Sequence, residues 1–262
     1  MAKGILIAAM DFSDVAEDEF HDWYDTEHVP ERLRVPGFLN AERWIGTQDP
    51  KVSLALYDLD TVGVLHSPAY LAVGGANGTP WTKRVTGRTR MIIRLEGEQV
   101  RPGDALAPPG ANALLLIAMN VAPEQEGEFN EWYNTEHLPQ LGAVPGVLAA
   151  RRYRGAGATQ RYAAIYHFAH PDVPNSQAWK SAANTPWTER MRPHFRDLLR
   201  IDARRYRGTG ETQRYAAIYH FANPDVPNSS AWKTAANTPW TERMRPHFRD
   251  LLRLDARRYT RQ

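Results

Sequence analysis

The sequence predicts an α+β protein in which one fold unit is used twice. Residues 23–30, WYDTEHVP, return 109 positions later as WYNTEHLP at residues 132–139. Tyr57 and Tyr166 repeat at the same spacing, and Thr-Pro-Trp-Thr occurs both at residues 79–82 and at residues 185–188. Self-similarity of this kind indicates a structural unit that is repeated within the chain.

Both copies show the order strand, helix, strand, strand, helix, strand. For the first half of the chain, residues 1–96, the sequence predicts strands at 4–11, 38–45, 52–59 and 90–95 and helical regions at 15–28 and 67–85. For the second half, residues 111–206, it predicts strands at 113–120, 147–154, 161–168 and 196–203 and helices at 124–137 and 176–192. This order is the ferredoxin-like arrangement. Because its helices cover one face of an antiparallel sheet, we expect the two uncovered faces to pack together.

The repeated eight residues, which we call the octad, are predicted to lie on a helix. Aromatic and ionisable residues share one face of it at helical spacing, namely Phe20, Trp23, Tyr24, Glu27 and His28. Asp14 with Glu17 three residues later resembles an N-terminal capping box. The residue before Pro30 is biased away from helical geometry, so we expect the helix to end at His28.

Two further segments complete the predicted organisation. Residues 97–110 are rich in proline and glycine and are predicted to link the halves. Residues 151–203 and 204–256 are identical at 47 of 53 positions, so residues 207–262 are predicted to form a duplicated partial repeat. This copy lacks the first strand and the octad helix. We therefore expect both copies to compete for residues 113–137, which favours exchange between chains and a homo-oligomer.

Composition limits the class of protein. With 262 residues, of which 42% are hydrophobic, the chain can bury a substantial core. It has no cysteine, which excludes disulfides, thiolate metal sites and a cysteine nucleophile and favours a cytoplasmic location. The apolar run at residues 4–10 is too short for a signal peptide or a membrane span, so no membrane partner is expected.

Charge and histidine spacing argue against other ligands. Residues 150–262 are rich in arginine, but the arginines are scattered and no nucleic-acid motif accompanies them, so no nucleic acid is expected. His21 and His28 lie seven residues apart on one helix, too far to share a metal ion. We predict no metal and no cofactor.

The octad followed by Pro36-Gly37, and again by Pro145-Gly146, resembles the EthD-like group of the dimeric α/β-barrel superfamily. The resemblance covers residues 1–96 and 111–205. It implies an intramolecular dimeric α/β barrel with a ligand cavity in each half, between the sheet and its helices. Relatives include cyclases, isomerases, decarboxylases and monooxygenases, so the resemblance implies a fold far more than a reaction.

His28 and His137 are candidate catalytic residues, because a histidine of ordinary pKa exchanges protons near neutral pH. The alternative is that each histidine caps the end of its helix and contributes stability alone. Glu27 and Glu136 could hold a reacting group, orient an imidazole or anchor the following loop. Adjacent helical residues diverge by about 100°, which argues against a direct contact with the neighbouring histidine, and loop anchoring is favoured.

The aromatic residues of the repeat are candidate ligand-binding residues. They are Trp23, Tyr24, Trp81, Trp132, Tyr133 and Trp187. Packing against the sheet is the stronger expectation for most of them, since aromatic residues at helical spacing ordinarily form core. The hydroxyls of Tyr24 and Tyr133 could bind a substrate carbonyl.

Three functions fit these residues. The leading hypothesis is a cofactor-independent enzyme that acts by proton transfer on a small apolar or aromatic carbonyl compound, as in isomerisation, cyclisation or decarboxylation. The second is a small-ligand-binding or accessory protein in which the octads only lock helix to sheet. The third is oxygen-dependent oxidation of an activated aromatic by a cofactor-free monooxygenase.

Overall fold

The computed structural model describes residues 2–156, 159–208, 225–226 and 229–238. The chain divides into two compact units, Met1–Tyr206 and Arg207–Gln262. The first unit contains eight strands: β1 Gly4–Asp11, β2 Phe38–Gly46, β3 Val52–Leu59, β4 Arg90–Arg101, β5 Ala113–Val121, β6 Val147–Ala156, β7 Tyr162–Phe168 and β8 Phe195–Arg205.

These eight strands form one closed antiparallel barrel, in the order β1-β3-β2-β8-β5-β7-β6-β4. Each half contributes four strands in the same arrangement, β4-β1-β3-β2 and β8-β5-β7-β6. The halves meet edge to edge, because β2 pairs with β8 and β4 pairs with β6. The predicted α+β barrel within one chain is confirmed, and closure leaves neither sheet with an open edge.

One strand boundary was predicted wrongly. β4 was expected to end at Leu95, but it continues to Arg101, inside the predicted linker. The added residues pair with β6, so Glu96 lies opposite Ala156 and Arg101 opposite Arg152. This pairing joins residues far apart in the sequence, and local composition could not indicate it.

The octad lies in a helix that is interrupted by a wide turn instead of ending. α1 runs over Glu17–Trp23, a π-helical turn covers Tyr24–His28, and α2 runs over Val29–Leu33. Two short helices, α3 Pro68–Leu71 and α4 Pro80–Thr86, lie between β3 and β4. The second half repeats the interrupted helix with α5 Glu126–Trp132, a π-helical turn at Tyr133–His137, and α6 Leu138–Gly142.

The predicted helix end at His28 is therefore wrong, and the π-turn explains why. A proline within a helix has no N–H and clashes with the carbonyl one turn earlier. Here Val29 N–H bonds the Tyr24 carbonyl five residues back, and Pro30 enters at the start of α2, where its missing N–H costs little. The predicted capping box is also absent. Ala16 precedes α1 without a side-chain cap.

Three apolar clusters hold the barrel unit together. The barrel interior is filled by aliphatic residues from both halves together with Trp44 and Tyr153. Outside the barrel, Phe20, Trp23 and Tyr24 pack the first octad helix onto its sheet. The second octad helix packs in the same way onto the sheet of the second half. The octad aromatics thus form the helix-to-sheet contact that their spacing predicts.

A buried ion pair and a buried histidine–carboxylate hydrogen bond cross between the halves inside the barrel. Arg151 Nη1 lies 2.6 Å from Asp58 Oδ1, and both side chains are almost fully buried. His167 Nε2 lies 2.9 Å from Glu42 Oε2. The acids belong to the first half, and the bases occupy the equivalent positions 109 residues later. The charges therefore complement each other only when one half meets the other.

The second half ends its helical layer with α7 Gln177–Ala183 and α8 Pro186–Met191. In the unit Arg207–Gln262, the described residues include α9 Ser230–Ala236, where the Ser229 hydroxyl accepts from Trp232 N. The strands predicted in this copied block lie outside the described residues. Among the residues that are described, no helix has the length and apolar character needed to cross a membrane.

Candidate functional site

The π-turn brings the octad histidine against two aromatic rings. The ring centroids of His28 and Trp23 are 4.5 Å apart, and those of His28 and Tyr24 are 5.2 Å apart. His137 contacts Trp132 at 4.4 Å and Tyr133 at 5.0 Å in the same way. Both histidines lie in mid-helix, so the interpretation that they cap helix ends is wrong.

Burial changes the ionisation of these histidines. It lowers the pKa of His28 to about 3 and that of His137 to about 4, with smaller contributions from nearby positive charges. Around His28 these charges belong to Arg32, Arg43 and Arg94. The expectation of an ordinary histidine pKa is therefore wrong, and both imidazoles are neutral at pH 7. A neutral ring offers one donor and one acceptor nitrogen.

The octad glutamates bind threonine hydroxyls and do not contact the histidines. Glu27 Oε1 accepts from Thr79 Oγ1 at 2.5 Å and from Thr82 Oγ1 at 3.0 Å. Glu136 Oε1 accepts from Thr185 Oγ1 at 2.6 Å. Thr79 and Thr185 also cap α4 and α8, as Thr-Pro-Trp-Thr predicts. The glutamates therefore hold the starts of α4 and α8 against the octad helices through threonine hydroxyls, and not the following loop as predicted.

The strand residues beneath the helix add a second tyrosine to each site. The hydroxyls of Tyr24 and Tyr57 are buried, and among the described residues they have at most each other as a hydrogen-bond partner. Their equivalents Tyr133 and Tyr166 lie 3.4 Å apart, at the long limit of a hydrogen bond. Burial raises the pKa of all four phenols, so each stays protonated and able to donate.

An arginine from the second strand of each half lies under the octad helix. The Arg43 guanidinium carbon is 4.2 Å from the Tyr24 ring centre, and its Nη1 is 2.5 Å from Asp25 Oδ1. Tyr206 also packs against this group, with its ring centre 4.1 Å from the same carbon. Arg152 takes the equivalent place in the second half and lies 4.6 Å from the Tyr133 ring centre.

The remaining candidate residues take different positions in the two halves. Trp23 Nε1 donates to Thr82 Oγ1 at 3.0 Å, whereas Trp132 Nε1 has no partner among the described residues. Trp187 Nε1 donates to Glu128 Oε1 at 3.0 Å, whereas the buried Trp81 Nε1 has no such partner. The two sites have the same arrangement of residues, but their tryptophans make different hydrogen bonds.

The structure thus places the predicted His, Tyr and Trp residues of each half around one helix-to-sheet contact. Sequence reasoning missed the arginines and the strand tyrosines as site residues. Arg43 and Arg152, like Tyr57 and Tyr166, recur 109 positions apart, and this shared spacing was the available signal.

Comparison with solved structures supports the fold. The chain is similar to a proposed monooxygenase from Fusobacterium nucleatum, at 8% identity and a TM-score of 0.54 over 78% of this chain and 92% of that one. It is also similar to an anthrone oxidase-like protein, at 11% identity and a TM-score of 0.54 over 78% and 92%. The chain has the dimeric α/β-barrel fold. No protein-family model and no curated protein matches it.

A third similar structure is a mutant chlorite dismutase from Candidatus Nitrospira defluvii, solved in complex with cyanide. It is 11% identical and has a TM-score of 0.51 over 77% of this chain and 90% of that one. At such identities the likeness concerns the fold alone, and it assigns no reaction to this chain.

Proposed function

We propose that this chain is a small-molecule enzyme that moves a proton at a carbon next to a carbonyl group, without a cofactor. The observation that carries the proposal is the pair of buried, protonated hydroxyls of Tyr24 and Tyr57 beside the neutral imidazole of His28. Such donors stabilise an oxyanion that forms in a site shielded from water.

In this chemistry the C–H bond next to the carbonyl breaks and its proton goes to His28. The electron pair moves to the carbonyl oxygen, which becomes an enolate held by the tyrosine hydroxyls. Return of the proton to another carbon completes an isomerisation. A base whose pKa is about 3 accepts a proton only as the neighbouring oxyanion develops, because the two opposite charges then stabilise each other.

The test is solvent-deuterium exchange, followed by proton NMR, in a panel of small cyclic and aromatic ketones. We expect exchange at the carbon next to the carbonyl, and we expect His28→Gln to slow it by about 10²- to 10⁴-fold. His66→Gln is the matched control, since His66 is exposed and outside the site. Circular dichroism establishes that each variant is folded.

The other outcomes favour the other hypotheses. Saturable ligand binding without exchange would support a binding or accessory protein, in which Glu27 and Glu136 serve as anchors. Oxygen consumption without exchange would support a cofactor-free monooxygenase acting on an activated aromatic. Unchanged exchange in His28→Gln and in His137→Gln would remove both histidines from the mechanism.

We further propose that the chain belongs to the EthD-like group and that its halves arose by duplication. The support is the two octads at a spacing of 109 residues and the shared strand order of the halves. We also keep a cytoplasmic location and a homo-oligomer as proposals.

A further inference from the structure

The two halves carry equivalent site residues, but these residues make different hydrogen bonds in each half. In the first half, His28 Nδ1, Trp81 Nε1 and Arg43 Nε are buried without a partner among the described residues, and the hydroxyls of Tyr24 and Tyr57 have at most each other. In the second half, His137 Nδ1 lies 3.5 Å from Thr188 Oγ1 and Trp187 Nε1 donates to Glu128, while the tyrosine hydroxyls lie 3.4 Å apart and Trp132 Nε1 and Arg152 Nε are buried without a partner among the described residues.

A buried polar atom without a partner destabilises the fold unless something else satisfies it. The hydroxyls of Tyr24 and Tyr57 come from the octad helix and from β3, and both side chains are almost fully buried. They therefore converge from opposite sides of the helix-to-sheet contact. A ligand oxygen placed between them would restore the missing hydrogen bonds.

The charge at this position also differs between the halves. Arg32 is 4% exposed and contributes positive charge next to both tyrosine hydroxyls and His28. Its bonds to Glu31 and to the Val73 carbonyl use Nη1 alone in the part of the chain that is described. An arginine has five donors, so others remain for a ligand.

The second half replaces this arginine with an apolar residue. Leu141 occupies the position 109 residues after Arg32 and is buried in the apolar cluster of that half. Trp179 likewise stands where the first half has Tyr70, whose hydroxyl accepts from Arg94 Nη2 at 3.1 Å. The second site is therefore more apolar at these two positions.

We propose that the first half alone binds the ligand, and that this ligand is a small organic oxyanion: a phenolate, enolate or carboxylate. The hydroxyls of Tyr24 and Tyr57 donate to its oxygen, and Arg32 supplies the charge that selects an anion over a neutral isostere. The inference rests on the proposed function for the location of the site, and it assigns that function to one half.

The experiment uses the full chain and the chromophoric probe 4-nitrophenol, titrated by absorbance and by calorimetry, with 4-nitroanisole as the neutral comparison. We expect one phenolate per chain, a lowered pKa for the bound phenol, and weaker binding of the anisole. Arg32→Leu, which copies the second half, should weaken phenolate binding by about tenfold or more, as loss of a charged hydrogen bond does.

The isosteric variants separate binding from folding. Tyr57→Phe removes only a hydroxyl, and it should also weaken phenolate binding. Tyr166→Phe makes the matched change in the second half and should leave the Kd within error of the parent. Near-UV circular dichroism establishes that the aromatic packing is intact in all three variants.

Several results would overturn the inference: no saturable phenolate binding, two phenolates per chain, equal loss in Tyr57→Phe and Tyr166→Phe, or an unchanged Kd in Arg32→Leu. A different result would exclude the proposed function without excluding this inference. Phenolate binding with the expected variant pattern, but without deuterium exchange in any ketone, would leave this inference standing and remove the proton-transfer chemistry.

Discussion

Removing Asp58 should destabilise the barrel more than any change at its surface. Asp58 is 3% exposed and its partner Arg151 is fully buried, and the two join β3 of the first half to β6 of the second. Asp58 Oδ2 also accepts from Ala107 N at 2.7 Å. Asp58→Ala would remove the carboxylate that is hydrogen-bonded to the buried guanidinium and leave only the weaker charge interaction with Glu42, which costs up to about 3–5 kcal/mol.

Urea unfolding followed by fluorescence measures this loss. With a slope of about 1–3 kcal/mol per molar urea, the unfolding midpoint should fall by about 1 M or more. Replacing both partners, as Asp58→Leu with Arg151→Met, should recover most of the loss, because no unpaired charge remains. The double-mutant cycle then gives the coupling between the halves.

The control lies two residues along the chain. Asp60 pairs with Lys3 at 2.8 Å, but its side chain is 62% exposed, so Asp60→Asn should leave the urea midpoint nearly unchanged. Equal losses for Asp58→Ala and Asp60→Asn, or a double variant no better than the single, would refute the reasoning that the buried pair holds the halves together.

Four other perturbations have defined outcomes. Glu27→Ala should lower the free energy of unfolding by about 1.5–3 kcal/mol, because a carboxylate that accepts hydrogen bonds from two hydroxyls is lost. An unchanged melting temperature would contradict the anchoring role of Glu27. Stability should fall as the pH drops below about 6.5, where the unfolded chain protonates His28 and His137 while burial keeps the folded rings neutral down to about 3 and about 4. Urea midpoints at pH 7 and pH 5 measure that slope, and His28→Gln should flatten it. Proteolysis within residues 102–109 should leave fragments that co-purify through the β2–β8 and β4–β6 pairings, and free separation would contradict the closed barrel. Deleting Arg207–Gln262 should leave a folded, more nearly monomeric chain by light scattering, since the barrel unit ends at Tyr206, and failure to fold would show that the copied block is integral.

Local pattern predicted the elements that are marked by an apolar run or by helical spacing. β1 and β3 have the predicted bounds, and the octad aromatics pack onto the sheet as their spacing indicates. The prediction failed where geometry departs from a regular period. A proline ordinarily ends a helix, but the π-turn at Tyr24–His28 shifts the bonding by one residue and lets the helix continue.

The candidate site was only partly predictable, because its polar residues come from distant segments. Arg32 binds the Val73 carbonyl 41 residues away, and Glu27 accepts from Thr79 52 residues away. No local pattern reports such contacts. The histidines lie on the octad helix, but their pKa values depend on burial, and the helix continues past them in a way that the sequence did not predict.

A crystal structure of the full chain with 4-nitrophenol tests the central claim most directly, because it locates the ligand in one half or the other. We predict one phenolate in the first half, with its oxygen within hydrogen-bond distance of the hydroxyls of Tyr24 and Tyr57 and facing Arg32. A phenolate beside Tyr133 and Tyr166 in the second half, or inside the barrel next to Arg151, would contradict the account.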